Sequence, residues 1–320
     1  MIKHVLSVVA LCLSTLVMAQ DAYPSKPITL LVPNPPGGLV DTSARLLSEP
    51  LGRLTSQTVI VDNRAGGSGN VAYQAVARAK PDGYTLLISY SAYHVGNPAL
   101  TPNLPWDPIK DFAPVALLTV ATNVIAVHPS VPASNLKEFI AYARQNPGKL
   151  NYASQGTGSL SHIGTEIFKQ QTGTFMTHIP YRGSGPAVQD VLSGQVQVFM
   201  TTPPSVMGHV QGGKLKAFAV TGDKRSPQMP QIPTTAEAGL PGFKLEAWVG
   251  LFAPAGTPSA VIAKLTADVK RAMELPEVKT RADAAGVEIR YQGPEALAQL
   301  VKSDLAYWSK TIKAAGIKAD

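Results

Sequence analysis

Short runs of aliphatic and β-branched residues alternate along this chain with segments of helical periodicity, and this alternation limits the fold more than any other feature. The runs lie at 28–32, 59–62, 85–89, 123–127, 177–179, 197–200 and 217–221. Runs of this length, bounded by turn residues, are typical of buried strands. Segments with helical periodicity lie between these runs, and two more follow the last run, at 257–269 and 294–308. The pattern predicts an α/β fold with largely parallel sheets.

Two proline-rich segments interrupt this rhythm. Residues 98–114 contain five prolines and residues 226–242 contain four. Because proline lacks a backbone N–H and fixes its own φ angle, neither segment is expected to be a helix or a central strand. If both carry the chain between the same two lobes, lobe 1 comprises 20–121 and 248–320, lobe 2 comprises 122–247, and the prolines form a double-crossing hinge.

The N-terminus has the pattern of a secretory signal. Lys3 precedes an apolar run at 5–17, and residues 17–19 have the spacing that signal peptidase reads. We expect residues 1–19 to be removed before Gln20 and the mature chain to be periplasmic. A membrane anchor is the alternative, but the run is broken by Ser14 and is shorter than the about 20 apolar residues that span a bilayer.

Composition excludes some classes of partner. The formal net charge is +7, yet lysine and arginine never occur in runs longer than pairs and no basic patch is interleaved with aromatic residues. We therefore expect a mildly cationic, monomeric protein that binds no nucleic acid. The single cysteine, Cys12, lies in the predicted signal, so the hydrophobic core must hold the mature chain without disulfides. A chain of about 300 residues can do so, because it buries roughly 75% of its unfolded surface.

Three glycine-rich loops each follow a predicted strand and precede a predicted helix. They are Pro35-Pro36-Gly37-Gly38, Gln155-Gly156-Thr157-Gly158-Ser159 and Tyr181-Arg182-Gly183-Ser184-Gly185. Each places backbone N–H groups and a helix N-terminus at the carboxyl end of a strand, where open α/β sheets bind ligands and where an anion is attracted. The glycines could instead serve only to make tight turns.

The energies indicate that these loops do not need an arginine. Three hydrogen bonds to a charged group and one helix N-terminus contribute about 5–10 kcal/mol. Micromolar affinity requires about 8 kcal/mol. Backbone amides together with Thr157, Ser159 and Ser184 are therefore predicted to hold a carboxylate.

The sequence patterns for dinucleotide binding, hydrolysis and metal binding are weaker. The stretch 67–72 fits a dinucleotide-binding pattern, but no ribose-binding acid ends the next strand. Neither a G-x-S-x-G elbow nor a metal-binding histidine spacing occurs, so we expect no cofactor and no metal. For an exported hydrolase, His162 with Ser159 or Ser161 would be the only plausible centre.

Motifs spread over nearly all of the predicted mature chain point to one family. They are YPSKPI at 23–28, VPNPPGG at 32–38, DNRAGGSGN at 62–70, PDGYTL at 81–86, WDPIKDF at 106–112, PYRG at 180–183 and APAGTP at 253–258. In this order they resemble the substrate-binding proteins of tripartite tricarboxylate transporters, the Bug-type extracytoplasmic receptors. The chain departs from the usual pattern at Asn34, where an aromatic residue is common.

The resemblance implies a type II periplasmic binding fold, with two α/β lobes and a cleft that closes on a small organic acid. It also implies which residues bind the ligand: Asn34, Pro35, Pro36, Gly37, Gly38 and Asp41; Tyr90, Ser91 and His94; Gln155, Gly156, Thr157, Gly158, Ser159 and His162; and Tyr181, Arg182, Gly183 and Ser184.

The function that follows is capture of an aliphatic or aromatic mono- or dicarboxylate for membrane permease subunits, without catalysis. A sensing subunit that presents the ligand to a signalling receptor is an alternative that the sequence leaves open.

Overall fold

A computed structural model describes residues 23–101, 103–314 and 316–317. The predicted signal peptide, with Cys12 and its cleavage site, lies outside these residues. Within them, no helix combines the length and apolarity needed to span a membrane.

The described residues form alternating strands and helices. The strands are β1 (Ile28–Val32), β2 (Val59–Asn63), β3 (Thr85–Tyr90), β4 (Phe112–Thr122), β5 (Val124–Val127), β6 (Asn151–Ser154), β7 (Thr177–Pro180), β8 (Val198–Thr201), β9 (Lys216–Val220), β10 (Glu246–Pro254) and β11 (Glu288–Gln292). The helices are α1 (Leu39–Thr55), α2 (Asn70–Ala77), α3 (Asn97–Leu100), α4 (Leu136–Gln145), α5 (Leu160–Thr172), α6 (Ser184–Leu192), α7 (Pro203–Gln211), α8 (Ser259–Met273), α9 (Pro276–Ala285) and α10 (Pro294–Ala314), and a π-helical turn (Ala92–Gly96) precedes α3.

The strands form two sheets, one in each lobe. The sheet of lobe 1 has the order β11-β4-β10-β3-β1-β2, and the sheet of lobe 2 has the order β7-β6-β8-β5-β9. Strand β1 is parallel to β2 and β3, and β6 is parallel to β7 and β8. Consecutive parallel strands here are joined by crossover helices, as parallel pairing requires.

Both sheets are mixed, so the prediction of largely parallel sheets is wrong. Strand β10 pairs antiparallel with β3 and β4, β11 pairs antiparallel with β4, and β5 pairs antiparallel with β8 and β9. The reason is the connection between the lobes. The chain leaves lobe 1 along β4 and returns along β10, so these neighbours run in opposite directions without a crossover helix.

The two crossings lie side by side and are not formed by the proline-rich segments. Asn123 separates β4 from β5, and its backbone N–H donates to Thr221 Oγ1 over 2.8 Å. Thr221 Oγ1 donates to the carbonyl of Leu245 over 2.6 Å, just before β10 begins. Residues 98–114 lead within lobe 1 from α3 into β4. Residues 226–242 stay beside β9, because Val220 N–H donates to Pro233 O over 2.9 Å. The hinge location predicted from proline content is therefore corrected.

Buried aliphatic strands form the cores that position the loops. In β1, Ile28 and Leu30 are fully buried, and in β3 the run 86–89 is fully buried. Helix α1 packs one face inward, and buried Ser43 lies 2.7 Å from Thr119 on β4. Rigid strands thus carry the loops that follow their carboxyl ends toward the facing lobe.

Candidate functional site

A small cavity lies between the lobes at the carboxyl ends of several strands. It is lined by Asn34, Gly38, Leu39, Val40 and Tyr90 from lobe 1, and by Gln155, Ser184 and Thr202 from lobe 2. Its volume is about 10 Å³, which matches one water-sized group. The lobes are thus closed on each other. Among the described residues no charged side chain lines this cavity, although every lining residue from lobe 2 is polar.

Helix α1 points its N-terminus at this cavity. Its N-cap, Gly38, has extended backbone geometry (φ −103°, ψ −178°), and no described side chain caps the helix. Leu39 and Val40, the first two helical residues, both line the cavity. The first amides of a helix have no intrahelical partner, so this end attracts an anion.

Asp41 shapes the loop before α1 rather than lining the cavity. Its Oδ2 accepts from Gly37 N–H over 3.1 Å and from Arg45 Nε over 3.0 Å, and its Oδ1 accepts from Asn63 Nδ2 over 3.0 Å. Burial alone would raise the pKa of Asp41, but the hydrogen bonds from Arg45, Gly37 and Asn63 outweigh it and lower the pKa. The carboxylate therefore stays ionised and fixes the turn, and its direct contact with the ligand stays a prediction.

Lobe 2 directs two more helix N-termini at the same place. Gly183 caps α6 with φ +104°, a conformation that favours glycine, and no described side chain caps that helix. Thr202 caps α7, whose first two residues are prolines without N–H groups. Thr202 is 2% exposed, and its Oγ1 has no hydrogen-bond partner among the described residues. Sequence analysis missed Thr202, although a strand followed by Thr-Pro-Pro signals a helix start.

Asn34 is the second cavity residue with an unpaired polar atom. It is 6% exposed, and its Oδ1 is buried without a partner in the described part of the chain. Its Nδ2 donates to Tyr93 Oη over 3.3 Å, and its backbone carbonyl accepts from Asn63 Nδ2 over 2.9 Å. The backbone contact fixes the residue, and its side-chain oxygen is buried at the edge of the contact between the lobes.

The middle glycine loop uses several of its amides internally. The N–H of Gln155 donates to Ser161 Oγ over 2.9 Å, that of Gly156 to Ser154 Oγ over 3.2 Å, and that of Gly158 to His162 Nδ1 over 3.2 Å. The expectation that these amides are bare for a ligand is therefore wrong. Only Gln155 of this loop lines the cavity.

The same loop instead forms part of the contact between the lobes. The carbonyl of Thr157 accepts from Ser68 Oγ over 2.7 Å. Burial raises the pKa of Tyr90, and the backbone of Leu160 at the start of α5 acts in the opposite direction. Tyr90 of lobe 1 therefore lies next to lobe 2 as well as lining the cavity.

Ser91 and His94, which are predicted to bind the ligand, are buried in lobe 1 and do not line the cavity. His94 Nδ1 lies 3.0 Å from Ser89 Oγ, and its Nε2 lies 2.9 Å from Pro108 O. Burial lowers the pKa of His94 to about 4, so the ring is neutral. Ser91 Oγ accepts from Trp248 N–H over 3.2 Å.

The remaining predicted residues do not line this cavity. Tyr181 Oη donates to Asp190 Oδ2 over 2.7 Å, and burial, with Asp190, raises the Tyr181 pKa to about 12. Arg182 is exposed. His162 stacks on His178 with ring centroids 4.2 Å apart. Because His162 Nδ1 accepts from Gly158 N–H, this nitrogen is not placed as a base for a serine hydrolase.

Metal binding has no support in the described part of the chain. Residues 23–101, 103–314 and 316–317 contain no group of three or more histidine, cysteine, aspartate or glutamate residues arranged to hold a metal ion.

Comparison with known proteins places this geometry in a family. The family model "Tripartite tricarboxylate transporter family receptor" matches residues 43–317. The UPF0065 protein in the tcbD-tcbE intergenic region of Pseudomonas sp. (strain P51) is 38% identical over 314 residues, covering 97% of this chain and 93% of that protein.

Solved structures agree with the family match. Rpa4515 of R. palustris, solved with adipate, superposes with a TM-score of 0.90 at 34% identity, covering 92% of this chain and 99% of that one. MatC from Rhodopseudomonas palustris, solved with bound malate, has a TM-score of 0.86 at 36% identity, covering 91% of this chain and 100% of that one. The type II periplasmic binding fold expected from the sequence motifs is confirmed, and the chain belongs to the tripartite tricarboxylate transporter receptor family.

Proposed function

We propose that this protein is a periplasmic receptor that captures a small carboxylate and delivers it to the permease subunits of a tripartite tricarboxylate-type transporter. The observation that carries the proposal is the convergence of two uncapped helix N-termini, from α1 and α6, and of the buried N-cap residue Thr202 of α7 on one cavity, whose lining among the described residues includes no charged side chain. Two structural neighbours were solved with carboxylates, Rpa4515 with adipate and MatC with malate, and this supports a carboxylate as the ligand here.

The energetics favour an anion at this place. Each uncapped N-terminus contributes roughly 0.3–1 kcal/mol to binding of a negative charge, and up to about 2 kcal/mol where it is partly buried. A carboxylate that enters the cavity also receives hydrogen bonds, each of which contributes about 1.5–3 kcal/mol when the acceptor is charged. Because helices from both lobes take part, the ligand stabilises the closed form over the open form.

The lobes act as a clamp without chemistry. We place lobe 1 at 20–121 and 248–320 and lobe 2 at 122–247, with bending at the paired crossings near Asn123 and Thr221. Closure buries the carboxylate and changes the outer surface that the permease meets, as hinge closure does in periplasmic binding proteins. The receptor acts as a monomer after removal of residues 1–19.

A thermal-shift panel tests the proposal. Aliphatic, aromatic and tricarboxylic acids are each added to the mature protein, together with the neutral amide of each acid. A ligand at 100 times its dissociation constant adds about 2.7 kcal/mol to the free energy of unfolding. That is roughly 5–10 °C in melting temperature for a protein of this size.

We expect one class of acid to raise the melting temperature and its amide to have no effect. If no acid does so at saturating concentration, or if acid and amide are equivalent, the carboxylate proposal is wrong.

A further inference from the structure

Two unpaired polar atoms lie in the closed cleft and define what the ligand must offer. Asn34 Oδ1 and Thr202 Oγ1 are both buried without a hydrogen-bond partner among the described residues, and both residues line the same cavity. Buried polar atoms are nearly always hydrogen-bonded, so such a pair on two residues that line one cavity points to partners supplied by a guest molecule when the cleft is occupied.

The two atoms have different chemistry. Thr202 Oγ1 carries a hydrogen and can donate to a carboxylate. Asn34 has already used its Nδ2 to donate to Tyr93 Oη, so its Oδ1 is left as an acceptor. A carboxylate has no hydrogen to give, so it cannot satisfy Asn34 Oδ1. A ligand hydroxyl can.

We propose that the ligand is a hydroxylated carboxylic acid, whose hydroxyl donates to Asn34 Oδ1 while its carboxylate accepts from Thr202 Oγ1. This rests on the proposed function and narrows its substrate class. An unsubstituted aliphatic or aromatic acid would place a C–H group against Asn34 Oδ1 and leave that oxygen unpaired. A site with such a buried acceptor rejects the analogue that lacks the matching hydroxyl.

Calorimetric titration with matched pairs of acids tests the proposal on the mature protein. The members of each pair differ by one hydroxyl: malate and succinate, lactate and propionate, 3-hydroxybutyrate and butyrate, and citrate and tricarballylate. We expect the hydroxylated member of at least one pair to bind about tenfold more tightly, the effect of one hydrogen bond that is gained rather than left unmade.

Three variants assign the preference to individual atoms. Asn34→Leu should abolish the preference by weakening only the hydroxylated member. Asn34→Asp retains an acceptor oxygen, so it should keep the preference although its charge weakens both members. Thr202→Val should weaken both members by a similar factor, about tenfold. Asn146→Leu, at the end of α4, is the matched control and should change neither affinity. Melting temperatures establish that each variant is folded.

The outcomes separate the two proposals. If acids bind but wild type shows no preference for hydroxylated members, or if Asn34→Leu retains the preference, the hydroxyl assignment is overturned while carboxylate binding stands. Loss of the preference in folded Asn34→Asp would show that the amide nitrogen, not the oxygen, contacts the ligand, and would also overturn it. If no acid of either kind binds, both proposals fail.

Discussion

A methyl group at position 183 should prevent full closure of the cleft. Gly183 lies at the start of α6 in lobe 2, and Pro35 lies in the loop before α1 in lobe 1. A Cβ added at Gly183 would lie 2.7 Å from Pro35 Cγ and 2.8 Å from Pro35 Cδ. Carbon atoms in ordinary contact are about 3.5–4.0 Å apart. The loops must therefore separate by about 1 Å in Gly183→Ala, and the proline ring is too stiff to move alone.

This clash raises the free energy of the closed form. Overpacking of this kind costs about 1–3 kcal/mol, which corresponds to an increase of roughly 5- to 150-fold in the dissociation constant. The variant also has a backbone cost, because Gly183 has φ +104° and ψ −179°, a region essentially restricted to glycine that costs another residue about 1–3 kcal/mol. The two effects must be measured separately.

A second glycine provides the control. Gly239 has φ +89°, and a Cβ added there would meet no atom within 4 Å. Both Gly183→Ala and Gly239→Ala should lower the melting temperature, because both glycines have positive φ angles. Only Gly183→Ala should weaken binding of an acid from the thermal-shift panel, as measured by calorimetry. Adding Pro35→Ala to Gly183→Ala removes Cγ and Cδ and should restore part of the affinity. If Gly183→Ala binds as tightly as Gly239→Ala, the two loops do not limit closure and the reasoning is refuted.

Two further predictions concern a contact between the lobes and a buried acid. Ser68→Ala removes the 2.7 Å hydrogen bond from Ser68 Oγ to Thr157 O, so the affinity for the ligand should fall about 2- to 10-fold. The exposed control Ser303→Ala should leave the affinity unchanged. Equal affinities of the two variants in a calorimetric titration would contradict this prediction. Burial raises the pKa of Asp304, whose Oδ2 accepts a hydrogen bond from Trp248 Nε1. A carboxyl with a raised pKa favours the folded state while it is protonated. Its contribution to the free energy of unfolding is therefore lost as the pH rises through the pKa of the folded state. Asp304→Asn should therefore melt higher than wild type at pH 7 and equal to it below about pH 3.9, and a lower melting temperature at pH 7 would contradict this reading.

Several strands are predicted by their own local pattern, but two central strands of the lobe 1 sheet, β4 and β10, are not. The runs at 28–32, 59–62 and 85–89 correspond to β1, β2 and β3. Strand β4 was missed because it contains Pro114, and proline is rare in central strands. The structure accommodates Pro114 opposite Phe252, beside a register shift between Leu251 and Phe252. A bulge of this kind depends on the partner strand, which lies far away in sequence.

The hinge was misplaced for a related reason. Proline content predicts where helices and strands cannot form, but it does not predict which segment leaves a sheet. The real crossings are set by side-chain bonds such as Thr221 Oγ1 to Leu245 O and Asn123 Nδ2 to the same carbonyl at 3.3 Å. These contacts join residues from both crossings, so no local pattern contains them.

The glycine loops show where a sequence rule for anion sites needs a second condition. A loop that follows a strand and precedes a helix offers amides to a ligand only if nearby side chains do not accept from them first. The loop at 155–159 is flanked by Ser154, Ser161 and His162, and each accepts from one loop amide. The loops before α1 and α6 are different, because no described side chain caps either helix. A search for acceptors within about six residues would identify the loop at 155–159, but it would also find Asp41, which accepts from Gly37 N–H in the loop before α1. The rule must therefore ask which amides are taken, because the first amides of α1 come after Gly37.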